Sequence, residues 1–152
     1  MTYLPKITKF KEKDKEPIKV LIKELYFSPA VLHKPSEQII ENIVNACLDK
    51  KTNVIGYKLV YKQIIVGYFI LAKSFSTEYG VECIWLEDLF IKEEYRNKGF
   101  GKIAFDYIQN KYTNKGIRLR LEVEENNYKA INFYTRNGMI KNKYIVMEIN
   151  PK

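Results

Sequence analysis

Two glycines one residue apart, flanked by three cations, form the run Tyr95-Arg96-Asn97-Lys98-Gly99-Phe100-Gly101-Lys102. It lies between an apolar, acid-bearing segment at 84–91 and a helical pattern that begins at Phe100. Glycine reaches positive φ and lets a ligand approach the main chain, so successive N–H groups and the positive end of a helix can converge on one anion. The chemistry this predicts is the holding of phosphates, and hence a phosphorylated cofactor. A P-loop would need glycine five residues ahead of the Gly-Lys pair and a hydroxyl after it, but Arg96 and Ile103 stand there. Gly99, Gly101 and Ala104 do spell the dinucleotide pattern, with Glu122 and Glu124 about twenty residues on. Those glycines should follow their strand at once, yet the polar stretch 92–98 intervenes. Too little chain remains for a second mononucleotide-binding half. What is left is Arg-x-x-Gly-x-Gly.

The elements that position this loop follow from periodicity. Residues 6–10 suit a first strand, and 17–27 a helix with apolar positions 18, 21, 22, 25 and 26 on one face. Ser36 can cap a second helix, apolar at 39, 40, 43, 44 and 47. Residues 53–61 and 63–73 read as a hairpin turned near Lys62, and 82–91 as the strand before the loop. The helix from Phe100 ends by Gly116, 117–123 alternates as a half-buried strand, and Asn126 and Asn127 can cap a short helix that Gly138 stops. Residues 144–149 read as a closing strand. Strand, crossover helix and parallel strand make a right-handed βαβ unit around the loop.

With 152 residues, 46% of them hydrophobic, the chain fits one domain, 1–152. No stretch is long and apolar enough to span a membrane, and no leader-like segment opens the sequence. Cys47, Cys83 and the lone His33 make no zinc set and read as structural, so a cytoplasmic, metal-free protein is expected. A net charge of +8 invites a nucleic-acid reading, but 22 lysines against 4 arginines, spread along the chain among acids, supply no localised basic face. The same charge would attract a polyanionic cofactor.

The pattern Arg96-x-x-Gly99-x-Gly101 resembles the acyl-CoA loop of the GNAT superfamily of N-acetyltransferases. A second match, Asn127-x-x-Ala130-x-x-Phe133-Tyr134-x-x-x-Gly138, lies in the expected order downstream. Trp85-Leu86-Glu87-Asp88-Leu89-Phe90-Ile91 looks like the Leu-Glu-Asp strand of the polyamine and diamine branch, the spermidine/spermine- and thialysine-type enzymes. The order β, α, α, β, β, β, α, β, α, β is the one this superfamily uses. The resemblance implies an α/β (α+β) fold, a mixed sheet with a βαβ cofactor core and splayed fourth and fifth strands.

The resemblance also implies roles. Acetyl-CoA would lie along Leu89, Phe90 and Ile91, where a bulge in the strand frees backbone groups for the pantetheine arm and an oxyanion donor. Its pyrophosphate would sit on Arg96, Asn97, Lys98, Gly99, Phe100, Gly101 and Lys102, with Asn127 bonding the pantetheine arm as well as capping its helix. A lysine-like amine has a pKa of ~10.4, so freeing its lone pair at pH 7 costs about 4.6 kcal/mol. The resemblance places Glu87 at the base position, directly or through water. Asp88, on the opposite strand face by simple alternation, is expected to bind substrate. Tyr134 matches the general acid toward the departing thiolate. The expected acceptor is a small cationic amine such as a polyamine, diamine or lysine analogue, held among Glu78, Glu82, Glu87, Asp88, Glu122, Glu124 and Glu125. A protein lysine or N-terminus, an antibiotic amine, and a non-catalytic acyl-CoA sensor remain open, as does a homodimer.

Overall fold

Residues 3–152 are described by a computed structural model. Five strands form one sheet in sequential order: β1 (Lys6–Lys9), β2 (Val54–Tyr61), β3 (Ile64–Ser76), β4 (Val81–Ile91) and β5 (Arg118–Leu121). All neighbours are antiparallel except β4 and β5, which run parallel because a helix crosses between them. The helices are α1 (Lys15–Tyr26), α2 (Glu37–Leu48), α3 (Phe100–Lys111) and α4 (Tyr128–Arg136).

Each face of the sheet is apolar and buries a different set of helices. Ile18, Leu21 and Ile22 of α1 and Ile40 and Val44 of α2 pack with Tyr68, Ile70 and Phe90 on one face. Phe100, Ala104 and Ile108 of α3 pack with Leu59, Phe69, Ile84 and Leu86 on the other. Local chemistry starts the elements where the sequence predicts. Pro17 sits in the first turn of α1, where its missing N–H costs nothing. Ser36 Oγ accepts the Ile39 N–H at 3.3 Å as the cap of α2. Lys62 and Gln63 turn the β2–β3 hairpin with φ of 47° and 67°, the left-handed pair that a two-residue hairpin requires.

One expected element is absent. Residues 144–149 form no strand; they pair with no neighbour, and Tyr144, Ile145, Val146, Met147 and Ile149 are exposed. Alternating apolar residues report fitness for a ladder, but a strand exists only where a partner edge supplies its hydrogen bonds. This segment meets no such edge among the described residues. No helix among the described residues is long and apolar enough to cross a membrane.

Candidate active site

The site is made by a mismatch of strand lengths. β4 pairs with β5 only over Cys83–Leu86 against Arg118–Leu121, then continues to Ile91 without β5 beside it. At the same point the β3–β4 register slips. Leu71 faces Leu86 and Ile70 faces Asp88, so Glu87 is the extra residue of a β-bulge. The bulge and the end of β5 pairing coincide at Glu87, so the β4 edge at Leu89, Phe90 and Ile91 borders a gap in the sheet, the candidate cleft. Those three still pair with Phe69, Tyr68 and Gly67 on the β3 side.

The bulge also resets which face each acid meets. Asp88 turns into the α1/α2 side and is only 7% exposed. The Tyr26 hydroxyl donates to Asp88 Oδ1 and the Tyr68 hydroxyl to Oδ2, each at 3.0 Å. Burial raises the Asp88 carboxyl to about 6; the two hydroxyls work against that rise, and the charge of Glu87 adds to it. Glu87 itself is exposed. Its carboxyl is raised by burial and then by the charge of Glu122. Tyr26 and Tyr68 are both raised by burial first and by Asp88 next. Neither tyrosine is marked by sequence reasoning: Tyr26 reads as part of an apolar helix face, and its partner is 62 positions away.

Below the cleft, the glycine run forms a tight entry to α3. Asn97 and Gly99 take left-handed φ of 59° and 79°, and Gly99 occupies the N-cap without a side chain to close the helix end. The first-turn N–H groups of α3 have no acceptor from within the helix, and they point where the helix dipole is positive. Arg96 donates from Nε to the Ile91 carbonyl at 2.8 Å and lies over the Phe90 ring, tying the loop to the end of β4. Lys98 lies over Tyr95. Lys102 is ion-paired with Asp106 one turn on, so the loop's charge rests more on Arg96, Lys98 and the amides than on Lys102. A Cβ on Gly101 would meet only the Phe133 ring, at an ordinary 3.6 Å. The fold therefore tolerates a methyl at position 101, in contact with Phe133.

α4 carries the remaining expected residues. Asn127 Oδ1 accepts the Ala130 N–H at 3.2 Å, which makes it the helix cap. Tyr134 packs against Phe105 and Phe133. Its hydroxyl is pushed up to about 12, by burial and then by the charge of Asp88. Among the described residues no cluster of three or more His, Cys, Asp or Glu is placed to hold a metal.

The fold and cleft define an α/β protein whose parallel strands part beside an uncapped, glycine-entered helix. A family model described as "Acetyltransferase (GNAT) family" matches residues 19–139, and the chain belongs to that family. Two curated relatives match about half of it. One is the L-ornithine N5-acetyltransferase NATA1 of Arabidopsis thaliana, 29% identical over 76 residues, covering 49% of this chain and 33% of the relative. The other is the thialysine N-epsilon-acetyltransferase of Bos taurus, 36% identical over 75 residues, covering 49% of this chain and 44% of the relative. The chain thus matches less than half the length of either. Among solved structures, that of a possible acetyltransferase from Clostridium difficile 630 superposes with a TM-score of 0.84 at 20% identity, covering 98% of this chain and 99% of that one. An aminoglycoside N-acetyltransferase AAC(6')-Iy in complex with CoA gives 0.78 at 13% identity, covering 99% and 97%. At those identities the likeness is one of fold.

Proposed function

We propose that the chain is an N-acetyltransferase that moves the acetyl group of acetyl-CoA to a primary amine by direct attack. The observation that carries this reading is the coincidence at Glu87 of the bulge and the β4–β5 splay. It leaves β4 backbone groups unpaired beside an uncapped anion cradle. Acetyl-CoA supplies an activated thioester. Its phosphates suit the α3 amides with Arg96, Asn97, Lys98, Gly99, Phe100, Gly101 and Lys102 around them, and its arm suits Leu89, Phe90, Ile91 and Asn127.

Glu87 takes the amine proton, directly or through water, and its raised carboxyl pKa makes it a better base than a free glutamate. Tyr134 serves the departing sulfur. At about 12 its hydroxyl lies well above a thiol near ~8.5, so complete proton transfer would be uphill by about 5 kcal/mol. A hydrogen bond to sulfur is the contribution that pKa supports. Asp88 acts on the substrate from behind Tyr26 and Tyr68, holding negative potential under the pocket while both its oxygens are engaged.

The acceptor we favour is a small cationic amine, a polyamine, diamine or lysine analogue. Glu87 and Glu122 are close enough to couple electrostatically in a chain of net +8, and the partial relatives named above act on ornithine and thialysine, both amino-bearing amino acids. The test is incubation with acetyl-CoA and a panel of diamines, polyamines, ornithine, lysine analogues, aminoglycosides and lysine peptides while free thiol is followed. Thiol release that depends on a small amine supports the reading, and release only with peptide or aminoglycoside moves the acceptor class. Binding of acetyl-CoA without release with any amine would make the chain a sensor.

A further inference from the structure

β5 carries two of the chain's four arginines, Arg118 and Arg120. Their neighbours Leu119 and Leu121 pack into the α3 core, so by alternation both arginines stand on the opposite face of the sheet. Their register partners on β4 are Cys83 and Trp85. The Arg118 guanidinium lies over the Tyr79 ring at 4.2 Å and donates from Nη1 to Ser76 Oγ at 2.9 Å, while that of Arg120 lies over Trp85 at 4.4 Å. Burial raises the Cys83 thiol and both arginine charges work against that rise, as groups on the Cys83 side of the sheet would. Every ion pair among the described residues is made by a lysine, so neither guanidinium is neutralised there. A guanidinium that rests by its face on a ring keeps its edge N–H donors available, in the planar fork that matches a carboxylate.

These rows lead to the candidate cleft. Two residues along β4 from Trp85 is Glu87 at the bulge, and two residues along the chain from Arg120 is Glu122, whose charge the Glu87 carboxyl feels. Two strand residues span about 7 Å, a length that an extended ornithine or lysine covers between its side-chain amine and its carboxylate. We propose that Arg120, backed by Arg118, is a carboxylate subsite for the far end of the acceptor, so that the acceptor is an amino acid bearing its amine on an ornithine- or lysine-length side chain. The inference rests on the acetyl-transfer reading above and narrows its acceptor. The amine meets the acids at one end and the carboxylate meets the arginines at the other. A diamine or polyamine would set its second ammonium against two guanidiniums, a like-charge contact that rejects it. Residue type points the same way. In a chain of 22 lysines and 4 arginines lysine supplies diffuse charge, whereas arginine held flat on an aromatic ring supplies a fixed, two-pronged donor.

The test gives the intact chain acetyl-CoA and acceptors matched except for the carboxylate, ornithine against 1,4-diaminobutane and lysine against 1,5-diaminopentane. Free thiol is followed, and fragment mass spectrometry locates the acetylated nitrogen. The wild type should favour each amino acid at least tenfold in kcat/KM and place the acetyl group on its side-chain amine. Arg120→Gln should raise the KM of the amino acids at least tenfold and lower that of the diamines, so that the preference disappears chiefly through KM. Arg118→Gln should act in the same direction and less. Urea midpoints confirm that the variants are folded, and the wild-type comparison needs no variant. Trp85 is the only tryptophan of the chain, so its fluorescence reads occupation of the subsite without turnover. Ornithine and lysine should change it saturably, the diamines should not, and Arg120→Gln should abolish the response. Diamines used as well as the amino acids by the wild type overturn the proposal and leave acetyl transfer standing. A fluorescence response specific to the amino acids, with thiol release from no amine, upholds the subsite and overturns acetyl transfer. Equal losses on amino acids and diamines in Arg120→Gln would make Arg120 a structural residue and overturn the proposal, as would a carboxylate preference that survives both arginine variants.

Discussion

Tyr134 holds its proton more tightly than a free tyrosine because burial and the Asp88 charge both oppose the phenolate. In the proposed reaction its hydroxyl therefore assists by hydrogen bonding, and Tyr134→Phe should lower kcat at least tenfold while the KM for acetyl-CoA stays within twofold. Steady-state kinetics with both substrates varied would check this, and unchanged kcat would reduce Tyr134 to packing against Phe105 and Phe133. Asp88 gives a second prediction, on stability. Its folded-state pKa, about 6, is raised above the ordinary 3.8 chiefly by burial. The native state thus binds the proton more tightly than the unfolded chain. The stability this contributes is fully present below pH 3.8 and is lost as pH rises through 6. Relative to Asp88→Asn, the wild type should gain about 2 kcal/mol on going from pH 7 to pH 4.5, read from urea unfolding at the two pH values. A constant difference between the two proteins would show that Asp88 titrates as if exposed. The sequence shows Glu87, Asp88 and Tyr134 as candidates because their neighbours form a recognisable pattern. The pair that closes over Asp88 is not legible, since nothing local distinguishes Tyr26 and Tyr68 from the other tyrosines of this chain; only the long-range meeting of α1, β3 and β4 gives them that role.

The strands and helices were largely readable, because each buries one face and its periodicity says so. Of the predicted stripes, Ile18, Leu21 and Ile22 of α1 and Ile40 and Val44 of α2 are fully buried, Leu25, Tyr26, Ile43 and Cys47 are partly buried, and Ile39, at the start of α2, is exposed. The bulge was not readable from residue types. Glu87 is surplus only because the β3 register slips between Ile70 and Leu71, and register belongs to the pair of strands. The closing strand at 144–149 failed for the same reason, with propensity present and the partner edge missing. Two element-scale predictions follow from backbone geometry. At Gly101, in the first turn of α3, a methyl meets nothing closer than the Phe133 ring. Gly101→Ala should therefore raise stability by up to about 1 kcal/mol through helix propensity yet weaken acetyl-CoA binding at least tenfold. Urea unfolding and calorimetric titration of one variant read the two effects, and unchanged affinity would remove the phosphate cradle from position 101. In the β2–β3 turn, Lys62 and Gln63 hold positive φ at a cost that Asn and Gly avoid. Lys62→Asn with Gln63→Gly should raise the unfolding free energy by about 1 kcal/mol, seen as a higher urea midpoint at unchanged m-value.

On the scale of the whole molecule, the net charge of +8 acts in opposite directions on the two proposed substrates. A polyanion such as acetyl-CoA is drawn by the net positive charge of the chain, an attraction that salt screens beyond a Debye length of ~10 Å at 0.1 M. That long-range part vanishes as salt rises, whereas the amides, Arg96 and Lys98 act at contact. A cationic amine is repelled by the same diffuse charge and attracted only close in, by the mutually coupled acids Glu87, Glu122 and the buried Asp88. Short-range attraction in a partly enclosed site is screened far less than the repulsion around it. Raising sodium chloride from 50 to 500 mM should therefore increase the KM for acetyl-CoA several-fold and leave the KM for a diamine level or slightly lower. The two constants, measured in one kinetic series with the other substrate saturating, should separate with salt. A parallel rise of both would mean that the amine is held by exposed acids in bulk solvent and not in the cleft at the β4 bulge. Salt-independent binding of acetyl-CoA would mean that the scattered lysines play no part in its capture.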